Sequence, residues 1–368
     1  MARNLQVDLV LFAAVVVLVI FGLVMVFSAS AVIAADRYHF SYYFLVRQGL
    51  WAALGLGAMV RMMNFDYHQL GRPRFVFPAV GLQLILLIAV LMMPRRHATH
   101  RWFYAGPLSF QPSELAKILL VIFFAYLLDR RKGAVDDVRY TLLPLGLVTG
   151  LTVLLVLAEP DLGTSLAIVL IAAAMLFAAG LRLRFFVASA MAGIPALYLV
   201  VFRVRYRLNR VLGFLHPQAD PLGKGFQMLQ SLIAVGSGGI LGVGLMEGRQ
   251  KLFFLPEPQT DFIYAVISEE LGFIGALFVV AVFAVILWRG LRAAAGSPDN
   301  FGSLLAIGLT VLLVGQALVN MSVVISLLPT KGIPLPFVSY GGSSLLMNLI
   351  AAGILLNISQ HASGNAAM

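Results

Sequence analysis

Apolar residues run along most of this chain in blocks too long and too uniform for the one-sided stripe of a water-soluble helix. The first, Leu9 to Phe27, already exceeds the roughly eighteen residues a helix needs to cross the hydrocarbon core of a bilayer, and comparable blocks recur to the C-terminus. Counting them predicts ten spans, at 8–30, 46–63, 75–93, 112–128, 141–158, 162–180, 185–202, 262–288, 301–329 and 345–360. No alternation of apolar and polar positions of the kind a membrane barrel requires accompanies them. The expectation is an all-α, polytopic membrane protein forming a single domain over 1–368, with ten transmembrane helices and one large extracytoplasmic loop at about 203–261. Ser28-Ala29-Ser30-Ala31 has the small residues of a leader cleavage site. The preceding block is too long for a leader's core, however, and further spans follow, so it reads as a retained first helix. The small, polar tail Ser359 to Met368 reads as frayed.

Composition agrees: 61% of residues are hydrophobic and 11% charged, against about 25% charged in soluble domains. The net charge of +10 comes from 26 Lys and Arg spread among the loops. A nucleic-acid-binding face would gather them on one surface, so the membrane is the expected partner and nucleic acid is not. Twelve basic residues (Arg3, Arg61, Arg72, Arg74, Arg130, Arg131, Lys132, Arg139, Arg182, Arg184, Arg289, Arg292) fall on the short connections sharing a side with the termini. Six (Arg37, Arg47, Arg95, Arg96, Arg101, Lys331) fall on the other side. Positive short loops stay inside, which predicts cytoplasmic termini and an outward long loop, together with the connections at 94–111, 159–161 and 330–344. The absence of cysteine excludes disulfides, thiolate catalysis and Cys-ligated zinc.

Four outward places collect polar residues at membrane depth. In the first, Arg101-Trp102-Phe103-Tyr104 leads to Phe110-Gln111-Pro112-Ser113-Glu114-Leu115-Ala116-Lys117. Pro112 suits a helix first turn, which puts Glu114 and Lys117 three apart on one face, either as a tether between helices or as a functional pair. In the second, Glu159-Pro160-Asp161-Leu162-Gly163-Thr164, Asp161 fits a helix N-cap, with a place at the rim of a site as the other reading. The third is the long loop. Arg203, Arg207 and Arg210 repeat at helical spacing, for lipid headgroups or for substrate. Lys224 follows, then Gln230 and Ser231 ahead of a glycine cluster at Gly236, Gly238 and Gly239. Those glycines match neither the dinucleotide fingerprint nor the phosphate loop, so no nucleotide is expected; close helix packing or a re-entrant turn accounts for them. Asp261 ends the Pro-rich stretch where it meets an apolar span. Partial desolvation there raises a carboxyl toward a useful general base, and the same place also suits an N-cap. Glu269 and Glu270, inside the span, need a polar interior or a cation. The fourth place, Lys331 to Ser344 with Ser339 in it, is broken by prolines and glycines, as a cavity lining or as a rigid turn. His97 with His100 alone is a weak metal signal, and no metalloprotease or esterase motif is present. Carboxylates gathered with Arg and Lys on an outer face open to lipid suit an anionic, lipid-linked substrate.

Phe110 to Lys117, Glu159 to Thr164, Gln230 to Gly239, Leu255 to Gly272 and Gly332 to Ser344 together resemble the signature segments of the SEDS family (shape, elongation, division and sporulation). The resemblance covers nearly the whole chain. It implies ten spans, cytoplasmic termini, and a peptidoglycan glycosyltransferase that polymerises lipid II outside the cytoplasmic membrane with a partner class B penicillin-binding protein. Gly242-Val243-Gly244-Leu245, Arg249-Gln250-Lys251, Leu255 to Pro258, Phe21 to Ser30 and Tyr43 to Gln48 look closer to the division branch than to the elongation branch, which points to septal wall synthesis. Glu159 stands where the family commonly has Gln, and Gln259 where it commonly has His. The resemblance makes Asp261 the catalytic base toward the acceptor sugar's 4-hydroxyl, with undecaprenyl pyrophosphate leaving from the donor glycan. Positive charge for the diphosphate is expected from a divalent cation (Mg or Mn) or from Arg101, Arg210 and Lys224. Gln230, Ser231 and Ser339 complete the substrate-binding set, Glu114 and Lys117 order the cavity, and Asp161 supports its rim. The alternatives are an elongation polymerase, a flippase for the lipid-linked precursor, and a scaffold that only positions a partner synthase.

Overall fold

The computed structural model describes residues 7–93, 100–105, 108–221, 223, 225–252, 254–330 and 332–363. A helix stands at each of the ten predicted blocks: α1 (Leu9–Tyr38), α2 (Tyr43–Met63), α3 (Pro73–Leu91), α4 (Pro112–Arg130), α5 (Leu143–Ala158), α6 (Leu162–Ala178), α7 (Leu183–Phe202), α10 (Ile263–Gly296), the pair α11 (Asn300–Thr310) and α12 (Gln316–Val324), and α13 (Gly342–Ser363). The long loop adds α8 (Arg205–Leu215) and α9 (Phe226–Ser237). A short antiparallel hairpin, β1 (Phe103–Ala105) and β2 (Leu108–Phe110), precedes α4. A π-helical turn, Val311–Gly315, joins α11 to α12 without breaking the rod.

Eight helices among the described residues are long and apolar enough to cross a membrane. The other two of the ten blocks fall short for physical reasons. α4 carries Glu114, Lys117 and Asp129 within its 19 residues, and α6 has 17 residues. α1 runs two turns past its predicted end because its serines have partners: Ser30 Oγ donates to Val26 O at 2.6 Å and Ser28 Oγ to the Glu270 carboxylate at 2.6–2.7 Å. α4 and α13 lie at the centre, buried along almost their whole length, whereas α7 has no buried residue among those described and stands at the periphery.

α10 is broken at Gly272, whose φ of 64° and ψ of −160° are open to glycine alone. A break at membrane depth leaves backbone groups without partners unless protein supplies them. The long loop does so: Val243 and Gly244 N–H donate to Glu269 O and Glu270 O at 3.0 Å, and Phe273 and Ile274 N–H donate to Gly239 O and Ile240 O at 2.9 and 3.2 Å. A Cβ on Gly272 would lie 2.3 Å from Gly242 N. The two span carboxylates are satisfied in the same place. Glu269 accepts from Arg249 N at 2.8 Å, while Glu270 accepts from Lys251 Nζ at 2.6 Å and Met246 N at 3.0 Å. The cation expected for this pair is therefore Lys251, buried beside Ser28. At the far end of the bundle, Asp8 pairs with Arg289, and Asp299 joins Tyr67 to His68.

Candidate functional site

Asp261 lies one residue ahead of Phe262, the N-cap position of α10, and so does not cap that helix. Its backbone is held by the broken stretch 332–341. Asn320 Nδ2, on α12, donates to both Asp261 O (2.9 Å) and Ile333 O (2.7 Å). Ser339 Oγ donates to Thr260 O at 2.6 Å and accepts from Leu335 N at 2.8 Å, and Tyr340 N donates to Gln259 O at 2.8 Å. Gln48 of α2 locks the outer end, donating to Ser339 O and accepting from Gly341 N. Glycine at 332 lets the stretch pass close to the carboxyl: a Cβ there would stand 2.9 Å from Asp261 Oδ2 and the carboxyl would have to shift.

The Asp261 carboxyl is pushed up to about 7, chiefly by burial; Arg210 opposes the shift, Glu257 and Asp161 add to it, and Arg101 opposes it. The side chain keeps partial solvent access. A carboxyl poised near neutrality can take a proton from an alcohol and later release it.

Beside it, Asp161 caps α6: Oδ1 accepts from Thr164 N (3.0 Å) and Oδ2 from Thr164 Oγ1 (2.9 Å). Gln111 Nε2 reaches it at 3.4 Å and Arg101 Nη1 at 3.9 Å. Arg101 is itself fixed by donation to Glu159 O at 3.0 Å and to Pro160 O. The Glu159 carboxyl is fully buried, and neither oxygen has a hydrogen-bond partner. Burial pushes it up to about 9, with Asp161 adding and Arg101 opposing, so it is a neutral acid at physiological pH. In that form it carries the same charge as the glutamine the family resemblance leads one to expect there.

The basic face of α8 turns inward. Arg210 Nη1 donates to Thr330 O at 3.2 Å, and Arg207 to Val200 O and Leu157 O at 3.1 and 3.5 Å. Arg207 thus serves the carbonyl ends of α7 and α5. Glu114 and Lys117 pair at 3.0 Å, both buried; Lys117 also reaches Gln316 Oε1 at 2.7 Å, and Ser344 Oγ donates to Glu114 at 3.1 Å. Gln316 Nε2 donates to Pro334 O at 3.0 Å, which ties this pair to the stretch clamping Asp261. Ser231 is buried and its hydroxyl donates to Val324 O at 2.7 Å, and Ser339 is likewise engaged by the chain, so both hold helices or loops together. Gln230 is half-buried on α9. Lys224 and His97 lie outside the described residues.

Among the described residues no three His, Asp or Glu converge as a metal-ligand set. Asp161 spends its oxygens on Thr164 and Gln111, and Glu257, the other carboxylate acting on Asp261, accepts from Gln259 Nε2 at 3.1 Å, which does not fit a cation cage made by protein alone. Asn320, Gln316, Gln48 and Gln111 were not anticipated. Gln316 and Asn320 stand four apart in an otherwise apolar block, which places both on one helix face, and that spacing was the available signal.

The FtsW/RodA/SpoVE family model, described as "Cell cycle protein", matches residues 8–364. The chain is 44% identical over 361 residues to a probable peptidoglycan glycosyltransferase FtsW of Geobacter sulfurreducens, covering 97% of this chain and 96% of that protein. It is 42% identical over 358 residues to stage V sporulation protein E of Bacillus subtilis, covering 96% and 97%. A solved structure reported as "Structural coordination of polymerization and crosslinking by a peptidoglycan synthase complex" superposes with a TM-score of 0.79 at 32% identity, over 97% of this chain and 99% of that one. RodA of Thermus thermophilus superposes with a TM-score of 0.72 at 28% identity, over 97% and 98%. The chain is thus a multi-pass membrane protein that belongs to the FtsW/RodA/SpoVE family, the SEDS family of its sequence resemblance.

Proposed function

We propose that this protein is a peptidoglycan glycosyltransferase that polymerises lipid II on the outer face of the cytoplasmic membrane, in septal wall synthesis. The observation that carries the reading is Asp261: one carboxyl, poised near pH 7, on a backbone that the Asn320 and Ser339 side chains hold at Asp261 O and Thr260 O, and flanked by Arg101 and Arg210. The names of the relatives support the activity and the division role. The count of basic residues supports cytoplasmic termini and an outward site, and the eight apolar helices, with α4 and α6 beside them, support a reading of ten crossings.

In this mechanism an Asp261 carboxylate oxygen takes the proton of the acceptor's 4-hydroxyl. The hydroxyl oxygen attacks the donor's anomeric carbon from the face opposite the diphosphate, and the carbon–oxygen bond to undecaprenyl pyrophosphate breaks with its electrons going to the leaving group. The configuration inverts. Arg101 and Arg210 supply fixed positive charge where the departing diphosphate gains negative charge. Glu114, Lys117 and Asp161 act on Asp261 through the walls they hold. A class B penicillin-binding protein is the expected partner, a reading supported by the likeness to a synthase complex. Replacing Asp261 with Ala and supplying labelled lipid II in detergent tests the proposal. Loss of about 10² to 10⁴ in rate is expected for a general base; glycan strands formed at the wild-type rate would refute it. Depletion in the host should give filaments, and rounded cells would reassign the protein to elongation.

A further inference from the structure

Between α6 and the continuous α11–α12 rod lies a side-open cavity of about 210 Å³. Ala167 and Leu170 wall it on one side, Gly315 and Val319 on the other, and Gly163 and Ile333 stand at its inner end. Those inner residues also belong to the site. A Cβ on Gly163 would lie 2.8 Å from Ile333 Cγ1 and 3.6 Å from Asp161 Oδ1. Ile333 follows the Gly332 that abuts Asp261, and its carbonyl shares the Asn320 amide with Asp261 O. The cavity therefore begins where the polar cluster ends.

Two further features say what it holds. Its lining is apolar except for Gln316, whose amide is already engaged by Lys117 and Pro334 O, so nothing in the cavity awaits a polar ligand. The space is also built into the helix: the π turn Val311–Gly315 bulges here, as π turns often do at functional sites. Glycine at 315 is not demanded by packing, because a Cβ would meet Leu170 Cδ2 and Val311 Cγ1 at an ordinary 3.4 and 3.7 Å. The missing side chain serves to leave room. Leu170 is 43% exposed on the flank facing away from the core, so the cavity opens laterally toward lipid.

We propose that this groove seats the proximal isoprene units of a polyprenyl diphosphate substrate, an inference that rests on the lipid II polymerase reading above. A cavity of 150 Å³ accommodates benzene, so 210 Å³ takes roughly eight carbons, about one and a half isoprene units, which reaches into the second unit. The remaining units extend into the bilayer through the open flank. The diphosphate then lies at the inner end, beside Asp161 and Arg101 and on the Asp261 side of Ile333. A phospholipid acyl chain shares the apolar character but does not carry a saccharyl diphosphate to that end.

The test uses the full-length protein in detergent with undecaprenyl diphosphate bearing a diazirine in its second isoprene unit. Photolabel is expected on residues 163–171 and 311–319, displaced by unlabelled undecaprenyl diphosphate and not by excess phosphatidylglycerol. Gly315→Leu and Ala167→Leu fill the groove. Each should cut labelling severalfold and raise KM for lipid II about tenfold with kcat nearly unchanged, the exclusion of a couple of methylene-sized groups being enough for that factor. Label elsewhere, equal displacement by phosphatidylglycerol, or folded variants that label like wild type would overturn the groove. If both variants fail to fold, the wild-type label map and its displacement decide alone. A wild-type protein that labels here yet forms no glycan removes the polymerase reading and leaves a prenyl diphosphate site. One that polymerises but labels elsewhere removes the groove alone.

Discussion

Glu159 offers a quantitative check on the electrostatics of the site's rim. A free glutamate carboxyl titrates at 4.5, whereas Glu159, buried without a hydrogen-bond partner, is pushed up to about 9. Because the folded value is raised, its contribution to stability is fully present below pH 4.5 and is lost progressively as pH rises toward 9. Folding at pH 7 must protonate a group that is ionised in the unfolded chain, at a cost of about 1.4 kcal/mol per unit, or about 3 kcal/mol. At pH 5 the cost is about 0.7 kcal/mol. Glu159→Gln removes the titration. The amide brings its own unpartnered N–H groups, but that penalty does not depend on pH and cancels in the slope. The stability of the Gln variant relative to wild type should therefore grow by about 4 kcal/mol between pH 5 and pH 8, a relative rise in Tm of roughly 8 °C at about 2 °C per kcal/mol. Thermal unfolding of both proteins in one detergent at each pH unit measures it, and titration of every group that does not interact with Glu159 cancels in the comparison. A Tm difference that stays flat across this range would mean that Glu159 is hydrated or paired, and the neutral-acid reading of the rim would be wrong.

Three other outcomes follow from the geometry. The polymerisation rate should rise with pH through about 7 as Asp261 loses its proton; Arg210→Met removes a charge that favours the carboxylate, so its pH–rate inflection should move upward, and an unmoved inflection would uncouple the two. Asn320→Ala frees Asp261 O and Ile333 O together; kcat should fall more than KM rises, at a stability loss of about 1–3 kcal/mol, and unchanged steady-state kinetics would show that the clamp is dispensable. Lys251→Met strands the Glu270 carboxylate, which should cost about 3–5 kcal/mol; the double variant with Glu270→Gln should recover most of it in denaturation assays, and equal loss in single and double variants would contradict the pairing.

The helices were legible because bilayer-length apolar blocks admit one solution, and each predicted block holds a helix. Asp161 and the Glu114–Lys117 pair were legible because their geometry is local, set by a turn and by a three-residue spacing. What could not be read is what distant segments do for one another. The sequence contains Lys251 and Glu270 but not their pairing across 19 residues. The clamp of 332–341 on 259–261 joins segments about seventy residues apart, and all but the Ser339 hydroxyl in it are backbone groups that every sequence has. Arg207 and Arg210 were visible as a basic face, yet Arg207 meets carbonyls at helix ends and Arg210 the Thr330 carbonyl of a connecting segment, which composition cannot reveal.

The repair of α10 at Gly272 by residues 239–244 has a practical corollary for engineering. That ribbon and the lower half of the helix must fold and melt as one cooperative unit, since separating them exposes four amide bonds to hydrocarbon. Affinity tags or fluorescent insertions in 239–244 should therefore abolish accumulation of the protein in the membrane. Gln218, exposed and outside that ribbon, is the better place to carry a reporter.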